Sequence, residues 1–186
     1  MAKRSKAETE LTVNQIMDEA LRQLLTLGYD SMSYTTLSQA TGISRTGISH
    51  HFPHKANFLV RLDPQITSLF QDELDFTSLD TLETSWGKSL QLPTSCMVLR
   101  LFFSLCGDTS MDVSQFRTID LAKEKAYKAF GLEGEKMISV LLGQSAVSLL
   151  SKPPEVQVAN TNGYKDLSAL REFSGPEARS LIAPRL

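Results

Sequence analysis

The sequence predicts an all-α fold, and three observations carry that expectation. Apolar residues recur with helical spacing along most of the chain of 186 residues. No segment asks for a strand, and the joints between the apolar stripes carry helix caps and glycine stops.

The elements follow in order. Val13, Ile16, Met17, Ala20, Leu21, Leu24 and Leu25 fall at i, i+3, i+4, i+7 and so mark a first helix. Thr12 with Gln15 resembles a capping box at its start, and Gly28 is a natural stop at its end. Ser33 is the expected cap of a helix over 34–41, and Ser44 that of the helix after it. Lys55 opens a fourth helix, apolar from Phe58 to Leu62. Asp63-Pro64 then predicts a kink or break. Proline disfavours helix at the residue before it and suits the first turn of a new helix capped by aspartate. Ile66, Leu69, Phe70 and Leu74 continue beyond that point.

Further helices are expected at about 79–90, 94–107, 113–130 and 134–151, each of ordinary length. The run Met97, Val98, Leu99, Leu101, Phe102, Phe103, Leu105 is apolar nearly all round, which places it centrally in the core. In the segment 134–151, Met137, Ile138, Leu141, Leu142, Ala146 and Leu149 are interleaved with the small residues Gly143, Ser145 and Ser148. Small residues on an apolar face suit close packing, including packing on a partner subunit. Residues 152–165, with Pro153-Pro154 and Asn160-Thr161-Asn162-Gly163, read as a loop, followed by a short helix at about 166–173 and a frayed tail.

Composition narrows the function classes. The apolar share of 41% and charged share of 22% are those of an ordinary globular protein, and the net charge of −2 excludes a strongly basic coat. Any affinity for nucleic acid must therefore come from local charge. The first third of the chain carries an excess of Lys and Arg, and the remainder an excess of Asp and Glu. Lys3, Arg4 and Lys6 could lie along phosphates or enter a minor groove, or they could form a solvated leader. With no run of 18 apolar residues and no apolar segment after the basic start, neither a membrane span nor a secretory signal is expected. Cys96 and Cys106 are expected as buried thiols rather than a bridge.

The most informative stretch is 35–55. It describes two very short helices joined at Gly42, with Leu37, Ile43 and Ile48 as the apolar side chains that lock them together. Glycine supplies the positive φ such a turn requires. Arg45, Thr46, Gly47, Ser49 and His50 are then free to face something polar and anionic. A helix-turn-helix placing its second helix in a DNA major groove fits that pattern.

On these residues residues 13–59 resemble the N-terminal DNA-binding domain of the tetracycline-repressor (TetR) family of bacterial transcriptional regulators. The resemblance runs through Ile16-Met17-Asp18-Glu19-Ala20-Leu21, Gly28-Tyr29, Leu37-Ser38-Gln39-Ala40-Thr41-Gly42-Ile43-Ser44-Arg45 and His50-His51-Phe52-Pro53-His54-Lys55-Ala56-Asn57-Phe58-Leu59. Ser38 and Ser49 stand where the family usually has Ala and Tyr. The resemblance implies a DNA-binding head over residues 1–54 and a helical body over 55–186 that dimerises and binds an effector. It places Arg45, Thr46 and Gly47 at the start of the recognition helix, with Arg45 the best candidate for bidentate readout of guanine. Tyr34, Thr35, Ser49, His50 and Lys55 are the candidate phosphate clamps.

The expected function is that of a homodimeric, cytoplasmic repressor on a palindromic operator in double-stranded DNA, associated with the nucleoid when bound. A small apolar or amphipathic effector would release it. Trp86, Met97, Phe102, Phe103, Cys106 and Phe116 are candidates to line the effector pocket, although such aromatics also serve simply as core. The alternative is a protein-interaction module on the same fold, with DNA contact secondary. No cofactor is expected. His50-His51-x-x-His54 has helical ligand spacing, but Pro53 interrupts it and no carboxylate or thiol completes a metal site. No catalytic constellation is present to suggest an enzyme.

Overall fold

Eight helices and no strand make up the described residues of the computed structural model, which are 6–107 and 116–151. They are α1 (Lys6–Thr26), α2 (Tyr34–Thr41), α3 (Arg45–His51), α4 (Ala56–Gln71), α5 (Leu79–Ser89), α6 (Pro93–Gly107), α7 (Thr118–Phe130) and α8 (Leu132–Ser151). The all-α expectation holds. The anticipated loop at 152–165, the short helix after it, and Lys3 and Arg4 of the leader lie outside the described residues, as do positions 113–115 of the seventh helix.

Local chemistry explains the boundaries. Ser33 caps α2 through a reciprocal box with Thr36, and Ser78 caps α5 in the same way with Thr81. Gly42 ends α2 in the left-handed region at φ 73°, where a Cβ would be strained. Gly131 turns the chain between α7 and α8 at φ 64°.

One contiguous core runs through the unit Met1–Ser151. Ile16, Leu24, Leu37, Ile48, Phe52, Phe58 and Leu62 fill the end built by α1 to α3. Ile66, Phe70, Leu82, Trp86, Val98, Leu99 and Ile138 fill the rest. Fully burying each such side chain contributes about 1.5–3 kcal/mol. Helix α4 belongs to both parts, since it packs on α1 and also on α6 and α7. Helices α7 and α8 form the most extensive helix pair. Their approach is close enough that a Cβ on Gly134 would overlap the Ala126 carbonyl.

Four expectations are corrected. Helix α1 begins at Lys6, ahead of Thr12, whose hydroxyl instead donates to the Glu8 carbonyl at 2.8 Å from within the helix. The added turns are made of good helix formers with an exposed Leu11, so no apolar stripe announced them. Helix α4 does not break at Asp63-Pro64 but runs through with Pro64 inside it. Burial of Leu62, Asp63 and Ile66 on both sides holds it, and tertiary packing outweighs the local cost of proline. Helix α6 buries Val98, Leu99, Leu101 and Leu105 but leaves Met97, Phe102 and Phe103 only half-buried, so it is not enclosed all round. Cys96 is half-buried against the core, its thiol donating to the Leu90 carbonyl at 3.2 Å, and Cys106 is exposed near the end of that helix.

Candidate nucleic-acid interface

Helices α2 and α3 are joined through Gly42, Ile43 and Ser44, and their apolar lock is the one the spacing implies. Leu37 and Ile48 are fully buried, and Ile43 packs against the same core. Ser44 caps α3 by accepting from the Gly47 N–H at 3.1 Å. With its inner face reduced to Ile48, α3 turns Arg45, Thr46 and His50 outward, and all three are exposed. Gly47 is half-buried. A Cβ there would come within 3.2 Å of Ile43 Cγ2 and Ser44 Oγ, so glycine also has a packing reason at this position.

Polar contacts fix this unit on its supports. Gln23 is buried on α1, accepts from the Thr36 hydroxyl at 2.6 Å and donates to Glu19 at 2.7 Å. Burial alone would lift the Glu19 carboxyl, but hydrogen bonds from Arg22 and Gln23 hold it below the ordinary carboxylate range. Gln15 donates to the Thr41 carbonyl at 3.0 Å, which ties α1 to the last turn of α2. This network escaped the sequence reading. A glutamine on an apolar stripe was its only visible trace.

The candidate clamps fall into two groups. Thr35 and His50 are exposed at the surface. Tyr34, Ser49 and Lys55 are committed within the molecule. The Tyr34 hydroxyl donates to the Phe52 carbonyl at 2.7 Å, and burial raises its phenol above the ordinary range. Ser49 donates to the Thr46 carbonyl at 3.2 Å. The Lys55 ammonium stands over the Tyr29 ring at 4.1 Å and reaches the Asp30 carbonyl at 3.5 Å. Burial lowers its pKa, and the nearby Asp30 charge opposes that.

Sequence reasoning passed over Arg61. A shallow cavity of about 360 Å³ beside the end of α3 is lined by His51, Phe52, Pro53, His54, Asn57, Val60 and Arg61, with no acidic side chain among them. Arg61 lies over the Phe52 ring at 5.0 Å, and Phe52 stacks on Phe58 at 4.4 Å, so the guanidinium has a rigid base. Its signal in the sequence was the helical offset of Arg61 from Asn57 on the exposed side of α4.

The candidate effector residues are dispersed in kind. Trp86 and Phe116 are core residues, and the Trp86 indole donates to Ser145 Oγ at 2.8 Å. Phe102 and Phe103 meet edge to face at 5.5 Å on half-buried positions of α6, and Met97 is half-buried earlier in the same helix. Cys106 is exposed at the end of the same helix.

At the junction of α4 and α7, buried Asp63 accepts from the Arg117 N–H at 2.9 Å and from the Thr118 hydroxyl at 3.2 Å. Thr118 in turn shares a hydrogen bond with Thr67 at 3.0 Å. The aspartate thus caps α7 from another helix, and Arg117 makes no side-chain cap of its own.

Among the described residues no single helix is long and apolar enough to cross a membrane. No curated protein matches the chain. Residues 63–149 match the family model described as the tetracycline repressor LuxT C-terminal domain, and the match begins at the aspartate that caps α7. Over that span, which begins within α4 and runs to the last turn of α8, the body is similar to the C-terminal domain of a tetracycline-repressor-type regulator, in agreement with the resemblance carried by residues 13–59.

Proposed function

We propose that the protein is a homodimeric, sequence-specific DNA-binding repressor whose head, residues 1–54, reads a palindromic operator and whose body, from residue 55, dimerises and takes an effector. The observation that carries this reading is the outward presentation of Arg45 and Thr46 from a helix that is anchored by little more than Ile48. A helix with so few inward contacts leaves its polar side chains free, and its exposed start suits base edges.

Within this reading Arg45 and Thr46 specify sequence, while Thr35, His50 and Arg61 hold phosphates. Tyr34 and Ser49 position these groups, since their hydroxyl protons go to the Phe52 and Thr46 carbonyls, while Lys55 keeps N–H donors beyond its contact with Asp30 for a phosphate. Two heads are needed, since one short helix reads few base pairs. Val140, Gly143, Val147 and Leu150 form an exposed stripe on α8, with Val147 at 66% and Leu150 at 86% exposure, which suits a second copy of the chain. A small apolar or amphipathic effector would engage Met97, Phe102 and Phe103 and favour the geometry that does not fit DNA.

Selection of bound sequences from a random duplex pool tests the reading. A palindromic consensus is the expected result, and Arg45→Ala should then cost roughly 1–3 kcal/mol and relax one position of each half-site. Binding that is salt-sensitive yet blind to sequence would overturn it.

A further inference from the structure

Helix α4 crosses from one part of the core to the other, and Pro64 stands inside it at the crossing. Proline has no N–H, so the hydrogen bond that residue 64 would give to the Val60 carbonyl is missing. A helix lacking one rung is most easily bent there. Asp63, next to this weak point, is buried and faces α7, where it caps Arg117 and Thr118. Thr67, one turn later, holds the same Thr118 hydroxyl. The first turns of α4 grip the α1–α3 unit through Phe58, which stacks on Phe52 and tilts against Tyr34. Its last turn grips α5 through Phe70, edge-on to Trp86 at 5.2 Å.

We infer that Asp63 is a positioning residue: clasped to the start of α7, it fixes the direction of α4 at Pro64 and thereby the separation of the two recognition helices in the dimer. This rests on the two-headed DNA-binding reading above. The clasp costs the protein a buried carboxylate, and an apolar side chain at 63 would pack the same interface without one. What the carboxylate adds is direction. Its oxygen accepts from a backbone N–H and a neighbouring hydroxyl at once, so α4 has one seat on α7 rather than a range of them.

The test uses the full chain and operators whose half-sites are moved apart or together by one or two base pairs. The parent should prefer one spacing sharply. Asp63→Ala should weaken binding at that spacing by about two- to thirtyfold, with altered spacings losing less, while single half-site sequence preference stays as it was. Asp63→Asn keeps an acceptor oxygen and should retain the parental preference.

In parallel, spin labels at Gln39→Cys on α2 and Lys128→Cys on α7, with Cys96 and Cys106 replaced by serine and labelled chain diluted with unlabelled, should show a broader distance distribution for Asp63→Ala. Should that variant fail to fold, Thr118→Val removes one of the two donors and should broaden the distribution in the same sense. Parental spacing preference and an unbroadened label distance in a folded clasp variant would overturn the inference. Absence of any spacing preference in the parent would instead remove the DNA-binding reading, and the label distances would still decide whether the clasp directs α4.

Discussion

The Trp86 indole N–H and the Ser145 hydroxyl meet at 2.8 Å in the interior and join α5 to α8. The Ser145 hydroxyl in turn donates to the Leu141 carbonyl at 2.7 Å, so every polar side-chain atom of the pair is used. Phe70 of α4 closes edge-on against the same indole. A single buried contact therefore links three helices of the body.

Removing one partner of such a pair leaves the other buried and unsatisfied. Ser145→Ala should destabilise the protein by about 1–3 kcal/mol in urea unfolding. Trp86 is the only tryptophan, so its fluorescence follows the transition directly. Ser95 supplies the opposite case. Its hydroxyl is buried with no hydrogen-bond partner among the described residues, and Ser95→Ala should be neutral or stabilising by about 1 kcal/mol. A larger loss for Ser95→Ala than for Ser145→Ala would contradict this account.

The stripe Val140, Gly143, Val147, Leu150 makes a claim about assembly. Val147→Lys places a charge where a second copy would desolvate it, yet leaves the monomer fold alone, since Val147 is largely exposed. Sedimentation should show a shift from dimer to monomer with an unchanged helical spectrum. An undiminished dimer would place the interface elsewhere.

Arg61 and Arg45 should differ in kind. If Arg61 holds a phosphate as proposed, Arg61→Ala should lower affinity evenly across operator variants and reduce the slope of log K against log salt by about 1. Arg45→Ala should instead change which base is preferred. Gel-shift titrations over a salt series separate the two, and a base-specific loss at Arg61→Ala would reassign it to direct readout.

Asp63 also sets a pH dependence. Burial raises its carboxyl pKa above the ordinary aspartate value, and the donors Arg117 and Thr118, with the Arg117 charge, offset only part of that. The folded state therefore holds the proton more tightly than the unfolded chain. The stability this contributes is fully present below the unfolded value and is lost as pH rises through the higher folded value. Asp63→Asn has no such titration. The stability of the parent relative to Asp63→Asn should decline from the acid end of that window upward, and unfolding at several pH values reads the slope. An opposite slope would mean that the hydrogen bonds outweigh burial.

Much of the fold was legible because its signals are local. Leu37, Ile48 and Gly42 announce a tight helix pair by spacing and backbone preference alone, and Ser33 and Ser44 cap the helices they were assigned to. The surface status of Arg45 and Thr46 followed from the same pattern. Ser78 with Thr81 shows a box that differs from the usual acidic form, and spacing still placed its helix correctly.

What failed to show was everything that depends on a distant partner. Asp63-Pro64 carries a local stop signal, and only the contact with Arg117 and Thr118, more than fifty residues on, turns that aspartate into the cap of another helix. Nor does any local pattern show that Tyr34 donates to the Phe52 carbonyl or that Lys55 stands over the Tyr29 ring.

By itself, then, the sequence determined the order of the helices, the caps Ser33 and Ser44 and the side of α3 that carries the polar groups, because each depends on neighbours within a few residues. The tertiary structure alone decided that α4 continues through its proline, how Tyr34 and Lys55 are held and where Arg61 stands. Those outcomes turn on burial and on hydrogen bonds between segments far apart in the chain, and no short-range pattern encodes them.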